Sequence, residues 1–193
     1  MKKKKSESLI RMVSSAMLIA LATVLSLIKI WQMPLGGSVT LLSMLPIVVI
    51  SIRYGVKWGF FCSFIYSLIQ IALGLPELMA WGMTVEIWIG CLVFDYILAY
   101  GVLGIAGLFR KKGTGGICAG VIIALALRMV SHFISGTIFF ASWCPEGWNV
   151  YLYSLAYNGA YMLPEAIFTS IAAIMIFKIP SVRKTFLDGG KED

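Results

Sequence analysis

Asp95, Arg128 and Glu165, together with the single histidine, His132, stand inside long apolar runs of this chain. Ionisable groups are costly in hydrocarbon, so their default reading there is a solute site. The densest stretch is HFISGTIFFASWCPEGWNVYLYSLAYNGAYMLPE, residues 132–165, which gathers an imidazole, a deep carboxylate, asparagine and many aromatics. Residues four apart share a helix face, which puts Arg128, His132, Gly136 and Phe140 on one stripe and Asn158, Tyr161 and Glu165 on another.

Several chemistries are open to these groups. Arg128 and Glu165 either neutralise one another as a buried pair or contact a ligand directly. Asp95 has no equally evident basic partner once Arg128 is used, which favours it as a ligand group. A lone histidine with no second His or Cys at ligand spacing does not make a metal site. Gly136, one turn beyond His132, leaves room for a flat ligand against the imidazole. Tyr153, one turn from Tyr157, adds π faces, whereas Trp31, Trp81 and Trp148 read as aromatic-belt residues. A carboxylate, an imidazole and several rings suit a flat cationic heterocycle, because a cation over an aromatic face gains about 0.5–2 kcal/mol.

The elements that must position these residues are membrane helices. Hydrophobic residues make up 60% of the 193 residues and charged ones 13%, with a mean hydropathy of +0.90, which excludes a water-soluble domain with a polar shell. A bilayer crossing takes roughly 20 apolar residues. Five runs qualify, at about 9–30, 56–75, 87–109, 117–141 and 151–177, and a shorter one at 39–52 makes a sixth if its helix begins inside the protein. The expected fold is therefore an all-α integral membrane protein with six transmembrane helices in one domain over 1–193. At a rise of about 1.5 Å per residue, Asp95, Arg128 and Glu165 fall in the middle third of the bilayer.

Basic residues favour the cytoplasmic side. Lys2 to Lys5 and Arg11, then Arg53 and Lys57, Arg110 to Lys112, and Lys178, Arg183 and Lys184 alternate with loops carrying Glu77, Glu86 and Glu146, Lys29 being the exception. Both termini are expected in the cytoplasm, and the net charge of +7 reports topology rather than nucleic-acid binding. The basic start followed by an apolar run also resembles a signal peptide, but Ile28-Lys29-Ile30-Trp31 offers no small-x-small cleavage site, so the first span is expected to be retained. Cys62, Cys91, Cys118 and Cys144 show no C-x-x-C spacing. Gly and Pro mark turns at residues 32–38 and 75–78. No phosphate-binding loop is present, so uphill transport would draw on an ion gradient or a partner.

At this point the chain resembles the substrate-binding S components of energy-coupling factor (ECF) vitamin transporters, specifically their thiamine-binding branch. The strongest match is HFISGxIFF with EGWNxxxYSLxYNG, at residues 132–140 and 146–159; around it stand Asp95-Tyr96, GxxGxAGLF at 101–109, MxPI at 44–47 and RxG at 53–55. The resemblance implies a six-helix subunit that takes up thiamine from outside, in a pocket built from the last three spans and lidded by the loop between the first two. It carries over Asp95, where many relatives have Glu, with Tyr96 as a hydrogen-bonding neighbour. His132 would stack on the aminopyrimidine, with Gly136 giving room, and Tyr153 and Asn158 would meet the ring system.

The departures concern indole surface. Family tryptophans are matched here by Phe140, Pro145 and Gly37, leaving Trp143 or Trp31 as candidate replacements. Such subunits have no ATPase activity and dock on an ECF module, a membrane scaffold protein driven by two ABC-type ATPases. Their docking pattern, A-x-x-x-A, falls at Ala16 and Ala20, and small residues four apart let another helix approach closely. No cofactor is implied. Two other classes compete: an ion-coupled secondary carrier for thiamine or another flat heterocyclic vitamin, and an intramembrane enzyme, which would need Ser131 or Ser135 as a nucleophile beside His132.

Overall fold

A computed structural model describes residues 2–187, with side chains from residue 6 onward; Met1, the side chains of residues 2–5 and residues 188–193 lie outside it, so the outermost basic residues of the N-terminus and the last residues of the C-terminus fall beyond the description. Helix α1 covers Lys2–Leu27 and leads into an antiparallel hairpin of β1, Lys29–Gln32, and β2, Ser38–Thr40. Then come α2, Leu45–Tyr54, α3, Val56–Ala80, α4, Val85–Gly107, α5, Gly113–Ile138, α6, Val150–Lys178, and a terminal α7, Pro180–Leu187.

Among the described residues, α1, α3, α4, α5 and α6 are long and apolar enough to cross a membrane. Their outward faces carry large apolar side chains, with Met17 69% exposed and Leu163 62% exposed, as a lipid solvent permits. The helical fold expected from composition is present, with one addition, the hairpin. The 39–52 run is corrected. Val39 and Thr40 pair in β2, and the helix starts only at Leu45, where Pro46 suits a first turn because the missing N–H is unpaired there anyway. Its ten residues reach about 15 Å, half of a hydrocarbon core.

Two further boundaries move. The turn expected at 75–78 stays helical, and Pro76 lies inside α3. In an apolar solvent a helix satisfies nearly every backbone group, so the loss of one N–H is cheaper than opening the chain there. Helix α1 stops at Leu27 rather than Ile30, because the next residues join the hairpin.

The centre of the fold is α2. Ile47, Val48, Ile50 and Ile52 are fully buried, and Ser51 Oγ accepts from Gly107 N at 2.9 Å and donates to the Gly104 carbonyl at 2.5 Å. Glycine is required at both positions: a Cβ on Gly104 would lie 2.5 Å from Phe60 N, and one on Gly107 would strike the Ser51 carbonyl. The RxG element caps α2. Gly55 turns the chain at φ 90°, and Arg110 Nη1 donates to the Ile52 and Arg53 carbonyls at 3.3 and 2.7 Å, satisfying groups that a helix end leaves open.

Candidate functional site

Above α2 the helices part around a cavity of about 260 Å³, a size suited to one small molecule and just below the common range of about 300–1,000 Å³. Helices α3 to α6 form its walls and the hairpin its cover.

Helix α4 supplies Cys91, Asp95, Tyr96 and Tyr100 to the lining. In an unbroken α-helix nine residues advance about 900°, so Cys91 and Tyr100 would face opposite ways. They share a wall because residues Leu92–Leu98 are wound as a π-helix, whose wider turn repeats about every 4.5 residues. Asp95 Oδ1 lies 2.8 Å from His132 Nδ1, and Ser135 Oγ donates to Asp95 Oδ2. Since a carboxylate accepts, Nδ1 is the donor, and a neutral ring then keeps its lone pair on Nε2. That Nε2 is buried and has no partner among the described residues.

Asp95 therefore has a partner that sequence spacing did not suggest. Arg128 and Glu165, by contrast, do not form a direct ion pair among the described residues. The Arg128 guanidinium lies 4.0 Å from the centroid of the Tyr100 ring and donates to the Ala99 carbonyl at 3.4 Å, leaving Nε without a partner. Glu165 Oε2 accepts from Thr40 N at 2.7 Å and Oε1 from Thr40 Oγ1 at 2.8 Å. Both charges are buried, and each is met by the element nearest it.

On α5 and α6, Asn158 Nδ2 donates to the Ser154 carbonyl at 2.9 Å and to the His132 carbonyl at 3.3 Å, while Tyr161 OH donates to Asn158 Oδ1 at 2.7 Å. Tyr161 also meets the His132 ring edge to face, with centroids 5.9 Å apart. The predicted stripes thus meet in one network. Gly136 lines the cavity, but the reason for its glycine is different from the one expected: a Cβ would strike Ser154 Oγ and lie 3.2 Å from Asn158 Nδ2, so it permits α5 and α6 to close on one another.

All eight substrate-site candidates, Asp95, Tyr96, His132, Gly136, Phe140, Trp143, Tyr153 and Asn158, line the same cavity. Phe140 lies beyond the end of α5, two residues past Ile138, yet still reaches it. Sequence reasoning did not assign Glu77, Trp81, Tyr157 and Tyr161 to the lining. Trp81, read as a belt residue, is a wall residue: it meets Phe140 and Trp143 edge to face at 6.2 and 5.7 Å. Trp143 therefore supplies indole surface, whereas Trp31 is exposed and outside the lining. Gly37 is buried under the hairpin, where a Cβ would lie 2.7 Å from Tyr161 Cδ1 and 3.1 Å from Tyr157 OH, so no indole fits that position in this arrangement.

The hairpin is fastened to α6. Tyr157 OH donates to the Pro34 carbonyl and accepts from Gly37 N at 3.3 Å. Ser131 Oγ donates to the Phe94 carbonyl and Ser135 Oγ to Asp95, so neither hydroxyl meets the imidazole as a nucleophile would. No group of three or more metal-ligating side chains occurs among the described residues. Ala16 and Ala20 lie on the exposed face of α1, away from the cavity, flanked by Met12, Val13, Met17 and Leu21.

Comparison with known proteins agrees with this architecture. The profile of the thiamine transporter protein family (Thia_YuaJ) matches residues 12–185. The chain is 36% identical to the thiamine transporter ThiT of Bacillus subtilis (strain 168) over 186 residues, 89% of this chain and 92% of that protein. It is 27% identical to ThiT of Lacticaseibacillus paracasei over 145 residues, 69% of this chain and 68% of that protein. The solved structure of ThiT from Listeria monocytogenes superposes with a TM-score of 0.73 at 25% identity, covering 94% of this chain and 99% of that one. With its site enclosed by apolar helices and its sequence matched from near the first helix to the last, the chain belongs to the thiamine transporter protein family.

Proposed function

We propose that this chain is the thiamine-binding subunit of an ATP-driven importer: one membrane domain that captures the vitamin on the outer side and delivers it inward when docked on an ECF module of a membrane scaffold protein and two ABC-type ATPases. Family membership makes it a multi-pass plasma-membrane transport protein rather than an enzyme. The observation that carries the finer reading is the convergence of Asp95, held by His132 and Ser135, with the rings of Trp81, Phe140, Trp143 and Tyr153 on one enclosed cavity. A fixed carboxylate in a low-dielectric site is matched to a permanent thiazolium cation, and the surrounding rings to flat heterocycles.

In this reading six helical segments make the domain, α2 completing its crossing through the hairpin, and both termini lie in the cytoplasm with the basic loops. Asp95 neutralises the thiazolium, Tyr96 hydrogen-bonds beside it, and His132 faces the aminopyrimidine. Tyr153 and Asn158 meet the rings from α6, while Phe140 and Trp143 cover them. Ala16 and Ala20 form the small-residue step on which the scaffold protein docks.

Calorimetry on the purified protein tests the binding half. Thiamine should bind one to one and riboflavin and biotin should not; binding of either of those in place of thiamine overturns the assignment. Reconstitution tests the transport half. Uptake should require the ATPase module, and uptake by this chain alone under a proton gradient would instead establish the ion-coupled carrier.

A further inference from the structure

Glu165 is one of the most buried charged groups in the molecule, 1% exposed, yet it does not line the cavity. Both of its carboxylate oxygens are taken by one residue of the hairpin, Thr40, through the backbone N–H and the hydroxyl. The Thr40 hydroxyl is also 2.7 Å from Ser43 Oγ. An anion is retained at such a depth only where fixed donors satisfy it, and here the donors belong to the foot of the cavity's cover.

The hairpin has a second attachment, and the contrast between the two is informative. Tyr157 holds the tip through Pro34 and Gly37, but Tyr157 itself lines the cavity, so its bonds are exposed to whatever enters. Glu165 lies two turns further along α6, about 12 Å away at helical rise, where a solute does not reach it. Between Thr40 and Ser43 the chain turns sharply, with Leu42 at φ 59° in the left-handed region that a leucine rarely adopts. A ligand-independent anchor, a fixed corner and a tip tied to the cavity wall together describe a cover that swings about its foot.

We propose that Glu165 is a positioning residue for substrate retention: it pins the foot of the hairpin through Thr40, so that opening releases only the tip. The part of the inference that concerns retention rests on the thiamine-binding reading, whereas the anchor itself does not. Glu165→Gln keeps the volume but replaces one acceptor by a donor facing a donor. Thr40→Val removes the hydroxyl, and Thr40→Ser restores it.

The first measurement is amide hydrogen exchange in ligand-free protein. Glu165→Gln and Thr40→Val should each raise exchange across the hairpin while the α5–α6 amides stay protected, and Thr40→Ser should behave as wild type. The second is dissociation of radiolabelled thiamine, which should be about tenfold faster or more in Glu165→Gln and Thr40→Val, the scale of a lost charge-assisted hydrogen bond. The double variant should be no faster than Glu165→Gln alone, because both changes break one link. Wild-type hairpin exchange in a folded Glu165→Gln protein overturns the anchor, and raised exchange with an unchanged dissociation rate overturns the retention role. Failure of the wild-type protein to bind thiamine would overturn the binding reading and with it the retention role, while the exchange measurement would still decide the anchor.

Discussion

The polar core of the site is a carboxylate and an imidazole that determine each other's state. Because Asp95 Oδ1 accepts from His132 Nδ1 and Oδ2 from Ser135, its position is fixed before any solute arrives, which is the preorganisation that lowers the cost of binding. Asp95→Asn should weaken thiamine binding by about 2–5 kcal/mol, the usual cost of removing one partner of a desolvated charge pair; calorimetry on the folded variant checks this, and unchanged affinity would remove Asp95 from the site. His132 carries two roles that can be separated. His132→Ala loses both ring and donor and should cost about 1–3 kcal/mol of stacking together with the hydrogen bond. His132→Phe keeps the ring alone and should fall between wild type and Ala. Equal affinity of all three, with lowered melting temperatures, would mark the imidazole as a packing residue. These residues were legible in the sequence because a polar group in an apolar run has few uses. Trp81 and Tyr157 were not, since the same side-chain types serve membrane interfaces and ligand walls, and only the path of α3 and α6 tells them apart.

Elements decide which of those side chains meet. The five long helices were readable from run length, but the register of α4 was not, because a π-helical segment leaves no mark on an apolar sequence while rotating everything after it. The end of the first span and the start of α2 were missed for a related reason: a hairpin made of apolar and small residues looks like more membrane helix until its pairing partner is known. On the lipid side, α1 presents Ala16 and Ala20 as a shallow step between bulkier side chains. A close helix–helix approach needs such a step. Ala16→Trp combined with Ala20→Trp should therefore abolish ATP-driven uptake by the reconstituted complex while leaving thiamine affinity within about twofold of wild type, a change of under about 0.5 kcal/mol, as expected for a surface site remote from the cavity. Retained uptake would show that this face meets lipid rather than the scaffold.

At the scale of the whole molecule the two halves of the membrane are filled differently. The outer half holds the cavity and its hairpin cover, and the inner half holds the short α2, zipped through Ser51 to the glycines of α4 and surrounded by fully buried aliphatic side chains. The consequence is electrical. The polar groups lining the site do not continue as a chain of hydrogen bonds through α2, so neither protons nor hydrated ions have a path across the chain at rest. Vesicles carrying the protein at high density should hold a potassium-diffusion potential as long as protein-free vesicles do, with or without thiamine, when followed with a voltage-sensitive dye. A faster decay on adding thiamine would mean that ions cross with the vitamin, whereas a flat trace identifies the floor of α2 as an insulator that a cell can express in excess over its ATPases without discharging its membrane.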